Sequence, residues 1–294
     1  MRAIFDISRD GMSAINMAAD QMARAQEELS TGKAVVRPSD DPAAAARAVG
    51  EHAALSSIAA YSSATDAASS RESAADSVMG DIVDKITAAL TAATSAGGTT
   101  AQSVRDAAAG TLQGLRDALS GDINFQFQGT YIFSGSKTDQ PSYAQVNGVW
   151  TYQGDSTTVQ TSIDTGRQVN QTWNGQSIFQ GSASQNLLTV LDNLVTAVQS
   201  GDNTGITSGI ADLQDAFKRA TAAQSSLGVD EQSVTDARAR LSDLKIATEA
   251  RRSQDEDANM ADAATRLSQA QVAYRAAIGA VSIANQASLI DFLK

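Results

Sequence analysis

Apolar or small side chains recur at alternating three- and four-residue steps in the last stretch of the chain, residues 258–294. The positions are Met260, Ala264, Leu267, Tyr274, Ile278 and Val281, with Gln271 as the polar member of the series. This spacing predicts a helix with a narrow apolar stripe of the kind found in coiled coils. Because most other positions carry Ala, Ser, Gln, Asn or Asp, we do not expect this helix to be stable alone.

The same pattern appears near the start of the chain, between residues 7 and 31. Each stripe could belong to an independent amphipathic helix on a local core, but no neighbouring apolar segment matches either one. We therefore expect the two terminal helices to pair with each other. The predicted N-terminal stripe comprises Met12, Ile15, Ala19, Met22, Gln26 and Leu29. The predicted assembly interface comprises Met12, Ile15, Met22, Leu29, Met260, Leu267, Tyr274, Ile278, Val281, Leu289 and Phe292.

A short loop with strong helix-boundary signals follows the first helix. Gly32 is expected to end that helix, and Pro38 excludes helix at the residue before it. Asp41 followed by Pro42 predicts an N-cap with proline at the first helical position, and Asp40 also suits the positive end of the helix dipole. Two adjacent aspartates are compatible with catalysis, but capping explains both of them without a substrate.

Long helices are predicted over residues 42–128. One should run from Pro42 to about Ala96, ending at Gly97-Gly98, and another from Thr100 to about Gln128. A helix of more than fifty residues would be about 80 Å long, which favours a rod. The inward positions are expected to be Val49, Leu55, Ile58, Ala75, Met79, Ile82, Ile86, Leu90, Val104, Ala108, Leu112, Leu115 and Leu119.

Aromatic and β-branched residues concentrate between residues 129 and 181, which predicts a small β-rich insert. Asn147-Gly148 separates two short apolar runs, Tyr143–Val146 and Val149–Tyr152, and is a strong hairpin signal. Further strands are expected at Val159–Ile163 and Arg167–Trp173. Both tryptophans of the chain lie in this segment, where they either form its core or make a recognition surface, and the core role is favoured.

Helices are expected to resume over residues 182–257, with a break at Leu227-Gly228 and a last long helix from near Asp230. The charged run at residues 251–257 is interpreted as a solvated face. The predicted fold is mainly α, an elongated rod with paired N- and C-terminal coiled-coil helices and a small β-rich insert. The predicted domains are residues 1–41, 42–128, 129–181, 182–257 and 258–294.

Composition argues against several classes of function. The 22 basic and 33 acidic residues give a net charge of −11, and without a basic patch this disfavours nucleic acid as a partner. Cysteine is absent and His52 is the single histidine. No metal-ligand spacing, phosphate-binding glycine loop or nucleophile elbow is found, so no cofactor and no enzyme activity are expected.

The N-terminus lacks the basic and apolar regions of a Sec signal peptide, and no apolar run is long enough to predict membrane insertion. The plain interpretation is a cytosolic protein. If the protein leaves the cell, it must use another export route.

Four segments of the chain resemble a known family. They read ELSTGKAVVRPSDDPAAAARA at Glu28–Ala48, GTYIFSGSKTDQPSYA at Gly129–Ala144, YQGDS at Tyr152–Ser156 and LSQAQVAYRAAIGAVSIANQASLIDFL from Leu267. Together they resemble the flagellar hook-associated protein 3 family, the hook–filament junction proteins related to flagellin. The run from Pro38 to Pro42 is the most specific of these motifs.

The resemblance implies a secreted structural protein of the bacterial flagellum. Such a protein is exported unfolded by the flagellar type III system, is met by an export chaperone, and self-associates in a ring or filament through terminal helices that order on assembly. The implied partners are another hook-associated protein and flagellin. A flagellin proper remains an alternative, as does, with less support, a cytosolic coiled-coil scaffold.

Overall fold

In the computed structural model, which describes residues 2–98, 101–180 and 185–292, the chain is mainly helical with a small β-rich insertion, as the sequence predicts. The long helices are α1 (Arg2–Thr31), α2 (Pro42–Gly97), α3 (Gln102–Ile123), α5 (Leu187–Ser200), α6 (Asn203–Glu256) and α7 (Met260–Phe292), and α4 (Gly175–Phe179) is short. The strands are β1 (Gln126–Phe127), β2 (Thr130–Tyr131), β3 (Tyr143–Val146), β4 (Val149–Tyr152), β5 (Gln160–Asp164) and β6 (Arg167–Asn170).

The chain divides into two compact units. The terminal unit comprises residues 1–57 and 244–294, and the central unit comprises residues 58–243. The division falls within α2 and α6, so each of these helices contributes one part to each unit.

In the central unit, an apolar core forms between α2, α3, α5 and α6. Buried positions of α2 follow three- and four-residue steps, which is the spacing of a helix packed along one stripe. At one crossing, Gly209 of α6 meets Leu194 of α5 so closely that an added Cβ would lie 2.6 Å from the Leu194 Cδ1 atom. Glycine therefore sets the approach of α5 and α6 at this point.

The β-rich insertion consists of three antiparallel two-stranded hairpins. In the hairpin β3–β4, Val146 pairs with Val149 across the Asn147-Gly148 turn, and both turn residues have positive φ. This is the two-residue hairpin that the sequence predicts.

An aromatic cluster joins the insertion to the helical core. Phe133 packs edge-on against Phe179 at 5.4 Å between ring centroids, and Trp173 lies 6.3 Å from Phe133. Trp173 is 9% exposed and Trp150 is partly buried against the same core. The core role predicted for the tryptophans is confirmed.

Two of the segments that resemble the known family, residues 129–144 and 152–156, contact each other in the insertion. The Ser136 backbone N–H and hydroxyl donate to the Asp155 carboxylate at 2.8 and 2.5 Å. These hydrogen bonds, the side-chain bond first, hold the pKa of Asp155 below its ordinary value. At Gly135, which has a φ of +69°, an added Cβ would lie 2.3 Å from the Asp155 carbonyl oxygen. No side chain fits there.

Several predicted boundaries are wrong. Helix α3 ends at Ile123 and not near Gln128, since strand β1 begins at Gln126. Helix α6 continues through Leu227-Gly228, where a break was expected. Leu227 is buried in the core, and packing of this kind outweighs the cost of about 1 kcal/mol for one glycine in a helix.

Two expected inward positions of the long helices are instead exposed. Val49 keeps 69% of its surface exposed and Val104 keeps 45%. Apolar residues of this size on a helix surface are common when the buried stripe is filled by smaller ones. The buried stripe of α2 near Val49 is formed by Ala44 and Ala48.

Candidate assembly surface

The terminal helices α1 and α7 lie side by side within the terminal unit. An added Cβ at Gly11 would lie 2.5 Å from the Val281 Cγ2 atom. Toward the other end of the pair, the Arg266 guanidinium donates to the Glu28 carboxylate at 2.5 and 3.1 Å. Since an early residue of α1 meets a late residue of α7 and the reverse, the two helices are antiparallel.

Small side chains form much of the contact between α1 and α7. Ala18 and Ala25 of α1 are 6% and 3% exposed, and Ala263 and Ala270 of α7 are 0% and 4% exposed. Larger side chains alternate with them and are partly buried at Ile15, Met22, Leu29, Leu267, Tyr274 and Val281. Small and large side chains therefore alternate along this contact.

About half of the predicted stripe positions therefore lie outside the contact between α1 and α7. In several cases the residue just before the predicted position is the one that is buried. Met12, Met260 and Ile278 keep 60%, 48% and 44% of their surface exposed. The expectation that these three line the contact between the terminal helices is wrong. Slender helices approach most closely through alanine and glycine, and this leaves the adjacent larger side chains outside the contact. Leu289 and Phe292 have side chains that fall outside the described residues.

The pair of helices α1 and α7 also leaves large apolar side chains exposed. On α1 and α7, large apolar side chains are exposed at Met12, Met17, Met260, Val272, Ile278 and Ile283. Exposed apolar side chains are typical of protein–protein contact surfaces where they lie together in one patch. We call these six side chains the exposed terminal face.

The loop after α1 is held by caps. Gly32 adopts a φ of +71°, and its N–H donates to the Glu28 carbonyl at 2.8 Å. The Asp41 carboxylate accepts from two backbone N–H groups in the first turn of α2, at 3.0 and 2.9 Å, and Pro42 is the first residue of that helix. The Asp40 carboxylate accepts from the backbone N–H of Arg37 at 2.8 Å, and this bond spans Pro38.

The loop also pairs with the turn between α6 and α7. The Glu256 carbonyl accepts from the Ala34 N–H at 2.7 Å, and the Ala258 N–H donates to the Gly32 carbonyl at 2.9 Å. The Glu256 side chain, 8% exposed as a residue, accepts from Lys33 Nζ at 3.1 Å and lies 2.8 Å from His52 Nε2. The loop after α1 and the turn between α6 and α7 are thus joined through one residue, Glu256.

Charge pairing around Glu256 corrects the interpretation of residues 251–257 as a solvated face. Burial alone would raise the pKa of Glu256, but hydrogen bonds from Lys33 and His52 hold it below its ordinary value. In the same run, Asp255 pairs with Arg47. Their partners lie about 200 residues away in sequence, so local spacing gives no signal of these contacts. The one available hint is a dense ionisable run at a chain reversal.

Among the residues that the structure describes, His, Cys, Asp and Glu side chains form no group of three that could hold a metal ion. Within that same part of the chain, none of the helices combines the length and apolar character needed to cross a bilayer. His52 is engaged by Glu256.

Known protein families and individual proteins are similar to this chain. The bacterial flagellin N-terminal helical region matches residues 7–138, and the C-terminal helical region matches residues 210–293. Flagellar hook-associated protein 3 of Salmonella typhimurium is 32% identical over 203 residues, which cover 64% of this chain and 63% of that protein. The protein of the same name from Escherichia coli is 32% identical over 188 residues, 59% of each chain. The chain thus matches about three fifths of these relatives.

Solved structures share the fold. A putative flagellar hook-associated protein from Vibrio parahaemolyticus superposes with a TM-score of 0.70 at 18% identity, covering 74% of this chain and 100% of that one. FlgL of Bacillus cereus gives a TM-score of 0.61 at 14% identity, covering 69% and 99%. With flagellin helical regions matched at both ends and relatives at 32% identity, the chain belongs to the flagellin-like family that includes flagellar hook-associated protein 3.

Proposed function

We propose that this chain is a structural component of the bacterial flagellum that joins hook to filament, and that it is assembled through its terminal helices. The exposed terminal face is the observation that carries this proposal, because a further partner would bury the six large apolar side chains that the helix pair leaves exposed. The names of the relatives at 32% identity support the junction role.

The energy available from covering this face is substantial. Its six side chains keep between 44% and 68% of their surface exposed. Since full burial of one such side chain contributes about 1.5–3 kcal/mol, covering all six contributes on the order of 5–10 kcal/mol before the cost of association. A contact of this strength, repeated around a ring or along a filament, would be enough to order subunits against one another.

The assembly interface proposed from the sequence extends over this face and the contact beneath it. Met12, Met260 and Ile278 would contact neighbouring subunits directly, while Leu267 and Val281 would hold α1 against α7. Gly32 and the caps at Asp40 and Asp41 would fix the loop that returns the chain toward α2. The neighbours would be other copies of this chain, a second hook-associated protein and flagellin, after delivery by an export chaperone.

A flagellin proper is the second candidate, because the matched regions are described for bacterial flagellin itself. The two functions differ in amount and place. A junction protein would form one short zone on each flagellum, whereas a filament subunit would extend along the whole length.

Removal of this chain from the bacterium that encodes it tests the function. We expect loss of motility, with filament subunits released into the medium unattached, and rescue by the intact gene. Antibody labelling should mark a single zone at the base of each filament. Labelling along the whole filament would favour the flagellin alternative, and unaltered motility would contradict both.

Export is tested separately by deleting residues 1–30. We propose that the flagellar type III system recognises this uncleaved segment, so the shortened chain should accumulate inside the cell. The central unit, residues 58–243, should stay folded and serves as the control for expression. Continued secretion of the shortened chain would contradict this proposal.

A further inference from the structure

A buried carboxyl group interrupts the apolar stripe of α2. The buried positions of this stripe include Thr65, Ala68, Ala75 and Met79, at three- and four-residue steps, and Glu72 occupies the step between Ala68 and Ala75. Glu72 is 1% exposed, and neither carboxylate oxygen has a hydrogen-bond partner. A buried polar group without a partner is costly and is uncommon in folded proteins.

Glu72 lies at the gap between two apolar clusters of the central unit. Ala75 belongs to the large core together with Leu227 of α6. Ala68 belongs to a smaller cluster together with Val234 of α6, and this cluster also contains Ile163, Val169 and Ala237. The same gap on α6, between Leu227 and Val234, is occupied by Asp230 and Glu231. One acidic layer therefore separates the two clusters.

The charges around Glu72 oppose its ionisation. Burial is the largest effect and, with the Asp230 and Glu231 carboxylates of α6, raises the pKa of Glu72 to about 8. Arg71 of α2 acts in the opposite direction. The Arg71 guanidinium lies 5.0 Å over the Phe127 ring and therefore faces the β-rich insertion.

The other polar partners at this layer are already engaged. Arg71 also donates to the Gln171 carbonyl at 3.3 Å. The hydroxyl of Ser73 donates to the Glu231 carboxylate at 3.3 Å. Burial raises the pKa of Asp230, and Asn170 of β6 acts in the opposite direction. No metal-binding group of three includes these acids among the described residues.

We propose that Glu72 is a proton-controlled lock on the contact between α2, α6 and the β5–β6 hairpin. With a neutral carboxyl the stripe is continuous and the hairpin is held against α2. The ionised carboxylate faces Asp230 and Glu231 in this buried acidic layer, so the contact loosens. The hairpin is the element released, because Ile163 packs in the smaller cluster and its carbonyl accepts from the Thr65 hydroxyl at 3.2 Å.

The sign of the pH effect follows from linkage. The unfolded chain loses the Glu72 proton near pH 4.5, whereas the folded chain keeps it until about pH 8. The neutral Glu72 carboxyl thus contributes its full stabilisation of the folded chain below pH 4.5, and this contribution is lost as the pH rises through 8. The folding equilibrium constant should fall by about tenfold per pH unit within that window.

Thermal unfolding of the full chain between pH 5 and 9 tests the lock, with Glu72→Gln as the variant and Asp117→Asn as the control. Asp117 keeps 69% of its side chain exposed. We expect wild type and the control to lose thermal stability as the pH rises toward 8. Glu72→Gln should show a much flatter profile and a higher melting temperature than wild type at pH 8.5. A wild-type slope in Glu72→Gln would overturn the proposal.

Hydrogen exchange of the wild-type chain gives a test that does not depend on any variant. After correction for the intrinsic effect of pH, amides of β5, β6 and residues 65–75 should exchange at least tenfold faster at pH 9 than at pH 6. Amides of α5, which lies outside this contact, should change little. Equal protection of β5–β6 at both pH values would overturn the proposal.

Discussion

Two glycines of α6 should respond in opposite directions to the same substitution. Gly228 lies in the interior of the helix, and an added Cβ would meet no atom within 4 Å. Gly209 lies in the same helix, but an added Cβ would lie 2.6 Å from Leu194 Cδ1 and 3.4 Å from Leu194 Cγ. Leu194 is 1% exposed, so its side chain lies in the core next to Gly209.

The two magnitudes follow from opposing effects. Alanine is favoured over glycine in a helix interior by about 1 kcal/mol, so Gly228→Ala should stabilise the central unit by up to that amount. At Gly209 the same gain is offset by overpacking, which costs about 1–3 kcal/mol. Gly209→Ala should therefore be neutral to destabilising by about 2 kcal/mol. For a unit of this size, 1 kcal/mol corresponds to about 2–4 °C in melting temperature.

Thermal unfolding followed by circular dichroism checks both variants at one pH and one protein concentration. Gly228→Ala should melt higher than wild type, and Gly209→Ala should melt below Gly228→Ala by several degrees. A lower melting temperature for Gly228→Ala would refute the reasoning, since it would mean that residue 228 needs a glycine backbone and that α6 breaks there.

Two further predictions concern the cap of α2 and the turn in the insertion. Asp41→Ala should destabilise the start of α2 by about 1 kcal/mol because two backbone amides lose their acceptor; faster hydrogen exchange in that turn checks this, and Asp41→Asn should largely restore protection. Gly135→Ala should prevent normal folding, since a Cβ would lie 2.3 Å from the Asp155 carbonyl oxygen, whereas Gly129→Ala, at a φ of +81° with open space, should cost only about 1 kcal/mol. The yield of folded protein separates the two variants, and equal yields would contradict the steric argument.

Local sequence signals predicted the secondary structure of the insertion well. The hairpin across Asn147-Gly148 depends on two residues that tolerate positive φ, and this requirement is visible in any short window. Gly228, by contrast, led to a wrong prediction, because a helix break was expected there. Its cost in a helix is small, and the burial of Leu227, which no local pattern reports, decides the outcome.

The pairing of the two terminal helices was predicted correctly, but several of the residues expected in their contact were not. A ranking by hydrophobicity selects Met12 and Ile278, but the structure leaves both exposed and brings Gly11 against Val281. The buried small residues of the contact are Ala18, Ala25, Ala263 and Ala270. Close approach of two slender helices favours small side chains, and hydrophobicity does not measure this. The interactions of Glu256 were missed because Lys33 and His52 are more than 200 residues away along the chain.

The central claim is that the exposed terminal face carries assembly. Ile278→Asp tests it most directly, with Val104→Asp as a matched control, because Val104 is similarly exposed but lies in the central unit. Burying an unpaired carboxylate at a subunit contact costs several kcal/mol. Ile278→Asp should therefore reduce incorporation into flagella by more than tenfold, while export and the melting temperature of the central unit stay at wild-type values.

The quantity to measure is the ratio of assembled to secreted chain for the two variants and wild type. We predict that the ratio falls for Ile278→Asp alone. Incorporation of Ile278→Asp at the wild-type level would contradict the claim that the exposed terminal face carries assembly.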